Sequence, residues 1–475
     1  MTQQIIEPQE KPPEQAGQSE PLAPLSTAHR RLSKVGVFSL LLVIGALLLL
    51  FSGQFAQSLI QVAQTPSPTA GLRSAARNGK TTTPTSSASA TDAPALIVPG
   101  RVNAPPLQLP DSQYLIYEQS SSLYLVSASG DYAQAIPAQG FISSNAAPPL
   151  LTPGGQLLYS GDGIWMTDVF GGTPTQIATL EPGQVITSMA LSDDGKMLAW
   201  STEPANGIGQ IEIHAGPLAS PAVVYTQSAL DCPCFRIFSF LHGTSARADS
   251  TLLLTDDRGS HEAVQYGMWS LDFSAAPAAP QLALDEDSEQ GPLALMPFGN
   301  TLLYSTSEGA VAEPTDRSVP SDVASLSYAN SLSIATLSGS PPSLSAGQVV
   351  LPEQESLNNT AQYHWVTTPV FSPDTRYLAY VEFSSDTQEP YDRHSAIYLV
   401  SMSNTGGKIR AGKPRLLATS TDQLVELGPW LNTHTLTFYA DGALYAVDIQ
   451  SGAYTSIAQP NAYAHIVGVV GSMGK

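Results

Sequence analysis

Apolar and polar positions alternate along most of this chain with period two, in short runs broken by turn residues. The clearest run is Phe371–Val381, FSPDTRYLAYV. An apolar residue leads into Ser372-Pro373-Asp374, a turn, and the strand-like stretch Tyr377–Val381 follows. A second alternating run, Ile397–Val400, comes next, and Gly406-Gly407 closes the unit. Alternation of this kind, rich in aromatic and β-branched residues and bounded by Gly, Pro, Asp and Ser, predicts strands joined by tight turns.

The phrase recurs. Aligned on the middle of each apolar run, the copies centre on Ile116, Leu158, Ala199, Leu253, Leu303, Ala379 and Thr437, with spacings of 42, 41, 54, 50, 76 and 58 residues. The two shortest spacings match one four-stranded propeller blade, and the longer ones require loop insertions. Each copy is followed by a second strand of one style, from Ser122–Gly130 through Gly163–Gly172 to Ala443–Gly452, and then by a looser one such as Thr175–Ala178. No 12-residue helical pattern occurs after residue 60. Units that cannot bury their faces alone do so by stacking. The expected fold is therefore all-β, a seven-bladed β-propeller over residues 111–475; six or eight blades also fit the spacing. Pro105, Pro106 and Pro110 interrupt the strand that should lead the first unit, whereas His465–Val470 is spare at the C-terminus. That strand is expected to complete the first blade and close the ring. The alternative is an ordinary terminal strand on the last blade.

Upstream the pattern changes. Residues 1–33 are rich in Gln, Glu and Pro and poor in large apolar residues, the composition of a disordered tail. Val35–Phe51 is an uninterrupted apolar run, at the short end for a membrane span. Arg30, Arg31 and Lys34 precede it and no basic residue follows until Arg73, so the positive-inside rule places the N-terminus in the cytoplasm and the propeller outside. Residues 34–55 are thus expected to be an uncleaved signal-anchor in the cell membrane. A cleaved signal peptide is the alternative, but Gly53–Gln57 supplies no good small-x-small site. Residues 56–110 carry TPSPT and TTTPTSSASATDAP, a solvated and stiffened stalk.

Charge sharpens the picture of partners. The formal net charge is −20; setting aside the tail and stalk leaves 12 basic and 35 acidic residues after position 110. An acidic domain of this kind repels nucleic acid and anionic lipid.

The phrase S-P-D-x-R-x-L-A-Y at Ser372–Tyr380 followed by I-Y-L-V resembles the WD-like repeat of the TolB propeller family, and Leu191–Trp200 is similar. The remaining copies are degenerate, at Gly155, Asn300 and Thr433. The resemblance covers roughly residues 110–471 and implies the fold; TolB itself is soluble and periplasmic with an extra N-terminal domain, where this chain has an apolar run and a stalk.

Candidate chemistry is sparse. Phosphate-binding glycine loops, HExxH and G-x-S-x-G are absent from the sequence, and no catalytic, cofactor-binding or metal residue is assigned. Cys232 and Cys234 could form a small local disulfide outside the cytoplasm, with free thiols as the alternative. Asp285–Gly291 has oxygens at alternate positions, but Gly falls late and Met296 stands where a bidentate Glu belongs, so a solvated acidic turn is the simpler reading. Asp168, Asp272 and Asp448 end strands at one register and read as turn acceptors; His364 and His465 read as structural histidines, and the five Trp as inter-blade packing. The expected function is a membrane-anchored scaffold binding a protein, peptide or envelope glycan. The alternatives are a carbohydrate-active enzyme using channel-facing carboxylates, or a sensor ectodomain.

Overall fold

A computed structural model describes residues 107–471 except 144–146, 232, 244–247, 257–265, 285–290, 298, 307, 313–324, 354–362, 386–393, 406–407, 421–424, 441 and 461. The expected tail, membrane run and nearly all of the stalk lie outside the described residues, with Arg30, Arg31 and Lys34. Among the described residues no helix is long and apolar enough to cross a membrane.

The strands form seven antiparallel sheets, each the core of one blade. Contacts pass from each blade to the next and from the seventh back to the first, so the ring closes. The second strand of each blade is the repeated apolar run: Gln113–Gln119, Gln156–Ser160, Met197–Pro204, Thr251–Asp256, Thr301–Ser305, Tyr377–Ser385 and Thr435–Ala440. The innermost strands of blades 2 to 7 precede these: Leu150–Leu151, Gln184–Leu191, Phe235–Phe240, Gly291–Leu295, Tyr363–Phe371 and Val425–Trp430. Blade 1 takes its innermost strand from the chain's end. His465–Gly471 pairs antiparallel with Gln113–Gln119, with Tyr114 opposite Val470 and Glu118 opposite His465. The closing strand expected from sequence is therefore the one observed.

Burial explains why the repeated run is continuously apolar. Leu378, Ala379, Tyr380 and Val381 are all fully buried. Leu378 and Tyr380 pack toward blade 5 with Met296, Leu303 and Leu332. Ala379 and Val381 pack toward blade 7 with Leu427, Trp430 and Leu436. A strand with a blade on each side must be apolar on both faces, and each such Leu or Val contributes about 1.5–3 kcal/mol. The outermost strands have solvent on one flank and read as loose; Ala222–Ser228 is mostly exposed or half-buried.

The turn in the phrase joins the innermost strand to the second one. Ser372 Oγ donates to Asp374 Oδ1 at 2.7 Å and accepts from the Tyr377 N–H at 2.9 Å. Ser192 repeats this with Asp194 and Met197 at 2.8 and 3.0 Å. Thr152 Oγ1 accepts from Gln156 N–H, and Asn432 Oδ1 from Thr435 N–H, each at 3.0 Å. The side chain thus holds the strand crossing closed in four copies, including two degenerate ones. Thr375 stands at φ 60 where Gly155 and Gly195 stand at 78 and 71, so the fourth turn position is the left-handed one.

Polar links join neighbouring blades through the backbone. Ser188 Oγ accepts from Ile237 N–H across blades 3 and 4 at 2.7 Å, and Thr368 Oγ1 from Leu427 N–H across blades 6 and 7 at 3.0 Å. Both side-chain acceptors sit at bulges in innermost strands, and the donor N–H groups lie at bulges of the next innermost strand. At the closing seam, small residues let the last strand in. A Cβ on Gly428 would lie 2.6 Å from Thr437 Oγ1 and 2.7 Å from Ile466 Cδ1, and one on Gly468 would lie 2.9 Å from Leu151.

The insertion after blade 5's second strand contributes to blade 6. Glu308–Ala312 and Ser325–Ala329 form a hairpin that joins the innermost strand of blade 6, with Ala329 opposite Val366. Blade 6 becomes a seven-stranded sheet.

Candidate functional site

The ring has two faces. Innermost strands start at one, the mouth face, and end at the Ser-Pro-Asp-type turns on the other, the turn face.

At the mouth face, the seam between blades 7 and 1 holds a polar cluster. Glu426, second residue of its strand, accepts hydrogen bonds from Tyr463 Oη and from His465 Nδ1. Its side chain is 11 % exposed, while the outer edge of His465 is 40 % exposed. Burial alone would push the Glu426 carboxyl up; the charge and hydrogen bond of His465 and the Tyr463 hydroxyl outweigh it and hold the acid below its usual value. Burial likewise disfavours the His465 imidazolium, but Glu426 and then Glu118 stabilise it and raise its pKa. Each group thus stabilises the charged form of the other.

A second cluster lies on blade 6. His364 Nδ1 stands 3.4 Å from Glu382 Oε1 without hydrogen-bond alignment, and the fully buried Tyr380 hydroxyl has no hydrogen-bond partner among the described residues. Burial pushes the Glu382 carboxyl up, and His364 only partly offsets this. Tyr380 stacks on Tyr398 at 5.5 Å, and burial raises both phenols.

One carboxyl is raised and another lowered, the pattern that separates an acid from a base. Position decides against their acting together. Glu382 shares the face of Tyr380, which packs toward blade 5. Glu426 lies opposite Tyr439, which packs in the layer between blades 7 and 1. Two sheets at about 10 Å each stand between those layers, far more than the roughly 5–9.5 Å at which paired carboxylates flank a glycosidic bond. Among the described residues no group of three or more metal-ligating side chains occurs.

The turn face of blades 5 and 6 is concave. The third strand of blade 6, His394–Thr405, continues past the blade and turns back as Lys408–Ala411. On one side of this hairpin is a groove of about 450 Å³ lined by Thr301, Thr336, Ser338, Ser345 and Gln348. On the other is one of about 420 Å³ lined by Asp374, Arg376, Tyr377, Ser401, Ser403 and Asn404. Ile409 lies in the wall of both. Gln348 anchors the hairpin to blade 5: its Nε2 donates to Ala411 O at 3.0 Å and its Oε1 accepts from Ala411 N–H at 3.3 Å. The walls mix hydroxyl, amide and guanidinium groups and the Asp374 carboxylate with apolar side chains such as Ile334, Met402 and Ile409.

The residues singled out from sequence are scattered over the ring. Asp168, Asp272 and Asp448 each accept from a backbone N–H two or three residues on, at 2.8, 3.0 and 2.5 Å, as turn acceptors do. His364 and His465 are partly buried and each has a carboxylate beside it. Trp269 packs on Phe235, Trp365 on Phe383 and Trp430 on Tyr377, while Trp200 stacks on His214 and Trp165 donates to Asp162. Cys234 is half-buried with its N–H donated to Asp256 at 2.7 Å. Cys232 and residues 285–290 lie outside the described residues, and with them the disulfide and the acidic loop. Sequence reasoning passed over Glu426 and Glu382, whose only signal is a carboxylate set within an otherwise apolar strand.

No family model and no curated protein matches the chain. Solved structures similar to it include the periplasmic gluconolactonase of Pseudomonas aeruginosa, 13% identical, with 75% of this chain and 99% of that one aligned and a TM-score of 0.45. An Agrobacterium tumefaciens protein described as a TolB is 14% identical over 74% of this chain and 98% of that one, with a TM-score of 0.36. The oligogalacturonate lyase of Vibrio parahaemolyticus is 12% identical over 73% and 84%, with a TM-score of 0.42.

Proposed function

We propose that the chain is a single-pass membrane protein whose propeller stands outside the cytoplasm as a binding module for a protein, peptide or envelope glycan. The observation that carries the binding role is the pair of grooves, of mixed polar and apolar lining, flanking the anchored hairpin of blade 6. They are concave, accessible and lined by groups that hydrogen-bond, and the Gln348 clamp presents them on a fixed support. The separation of Glu382 from Glu426 counts against those two carboxylates acting as a glycosidase pair. The membrane anchor rests on the apolar run Val35–Phe51 with Arg30, Arg31 and Lys34 before it.

The test is capture from envelope extract by the immobilised full-length chain, compared with Thr336→Trp and Ser403→Trp, which fill the two grooves. Capture lost in either variant, with melting unchanged, supports the reading. Capture of nothing by the parent chain, or turnover of a glycan panel that a single carboxylate substitution abolishes, contradicts it.

A further inference from the structure

The densest run of positive charge in the propeller sequence lies in one segment. Of the 12 basic residues after position 110, Lys408, Arg410, Lys413 and Arg415 fall within eight residues. They lie on the blade 6 hairpin and the segment that leaves it, and Arg376 lies across the groove from it. Arg376, Arg410, Lys413 and Arg415 are exposed. Two of them have partners already. Arg415 donates to Ile449 O at 3.1 Å, and Arg376 stands 3.7 Å from Asp374. Asp374 is itself held by Ser372, so its carboxylate is turned partly into the phrase turn. A concentrated positive patch on a strongly acidic domain focuses anions toward that one surface.

Building on the binding-module reading, we propose that this surface binds an acidic polysaccharide, with carboxylate-bearing sugars seated in the grooves beside the hairpin. Three observations select that chemistry. Arg376 lines the groove together with Ser401, Ser403, Asn404 and the Asp374 carboxylate, and Arg410 pairs with Ser403 across the hairpin, so cations and neutral hydrogen-bonding groups lie on or beside one concave surface. Sugars need both: hydroxyls to bond and an acid to attract. Strand addition by an acidic peptide is blocked at Ala411, because Gln348 already occupies its N–H and C=O. A bilayer is disfavoured because, among the described residues, Val349 beside Gln348 is the one large exposed apolar side chain on blades 5 and 6, too little apolar surface to enter a membrane.

The probe is size-fractionated alginate, a polyuronate, titrated against the full-length chain, with neutral dextran, poly-glutamate and phosphatidylglycerol vesicles as comparators. Alginate is expected to bind at low salt and to be released as ionic strength approaches about 1 M, where screening shortens to roughly 3 Å. Arg410→Ser with Lys413→Ser is expected to weaken binding about tenfold, from two exposed charge contacts. Lys196→Ser, elsewhere on the ring, should leave it unchanged, and all variants should melt as the parent does. No alginate binding, equal binding of dextran, tighter binding of poly-glutamate or vesicles, or alginate binding indifferent to the double substitution would each overturn the proposal. Capture of an envelope partner that persists when alginate fails would leave the binding module standing and remove only its glycan ligand.

Discussion

The seam between blades 7 and 1 and the hairpin on blade 6 use the same sheet architecture for opposite ends. At the seam, a strand from the end of the chain is inserted between two blades, and everything there favours closeness. Gly428 on blade 7 makes room for Ile466 of the strand, Gly468 within the strand makes room for Leu151 of blade 2, Ile466 and Val470 are buried, and the polar groups at its start are satisfied by one another. On blade 6 a strand runs beyond the sheet, its overhanging residues Ser401 to Thr405 are exposed apart from buried Met402, and Ser401, Ser403 and Asn404 line a groove. The difference teaches where a propeller can vary. Residues between two blades are constrained on both sides; residues carried past the end of a blade are constrained by one clamp.

The largest effect expected is from removing the closing strand. Deleting residues 464–475 leaves the first blade without its innermost strand, exposes Leu115 and Tyr117, and should replace one cooperative melting transition with a broad one, read by calorimetry. If the shortened chain melts as sharply as the parent, within a few degrees, the seam is not what holds the ring.

Next comes Glu426→Gln. It leaves His465 and Tyr463 facing an amide, and breaking such a pair costs about 1–3 kcal/mol, less than for a fully enclosed one because the ring edge of His465 is exposed. The pH dependence follows from the directions of the two shifts. Glu426 is lowered, so its contribution is present above its unfolded value and lost as pH falls through the folded one. His465 is raised, so its contribution is complete below its unfolded value and lost as pH rises through the folded one. Stability from the pair should therefore form a plateau on either side of which it declines, and denaturant midpoints across pH should show both limbs shrinking in Glu426→Gln.

Gly428→Ala should destabilise by about 1–3 kcal/mol through overpacking against Ile466 and Thr437, whereas Gly468→Ala should cost less because only the flexible end of Leu151 must move. Equal effects would mean the seam is looser on the blade 7 side than its geometry indicates. Smallest is Ser372→Ala, which removes two hydrogen bonds at an edge turn for about 1 kcal/mol by urea unfolding.

Much of the ring was legible in sequence because of how propellers bury surface. A run such as Tyr377–Val381, covered on both faces, is apolar at every position, and its turn must carry a side-chain acceptor, so each unit repeats a readable phrase. The closing strand was legible through its absence upstream, where Pro105, Pro106 and Pro110 leave no ladder donors. The sites were not. Glu426 meets His465 across 39 residues, and Gln348 meets Ala411 across 63, about one blade apart in each case. Contacts between blades obey no local period, so no spacing announces them. The alternation of Ile409 and Arg410 likewise reads as an ordinary strand until the hairpin is seen to overhang a groove.

Amide hydrogen exchange of the full-length chain tests ring closure most directly. The account predicts that Ile466 to Val470 exchange as slowly as Leu378 to Val381, through the same global unfolding. Exchange of the C-terminal strand within seconds, while Leu378 to Val381 stay protected for hours, would contradict it.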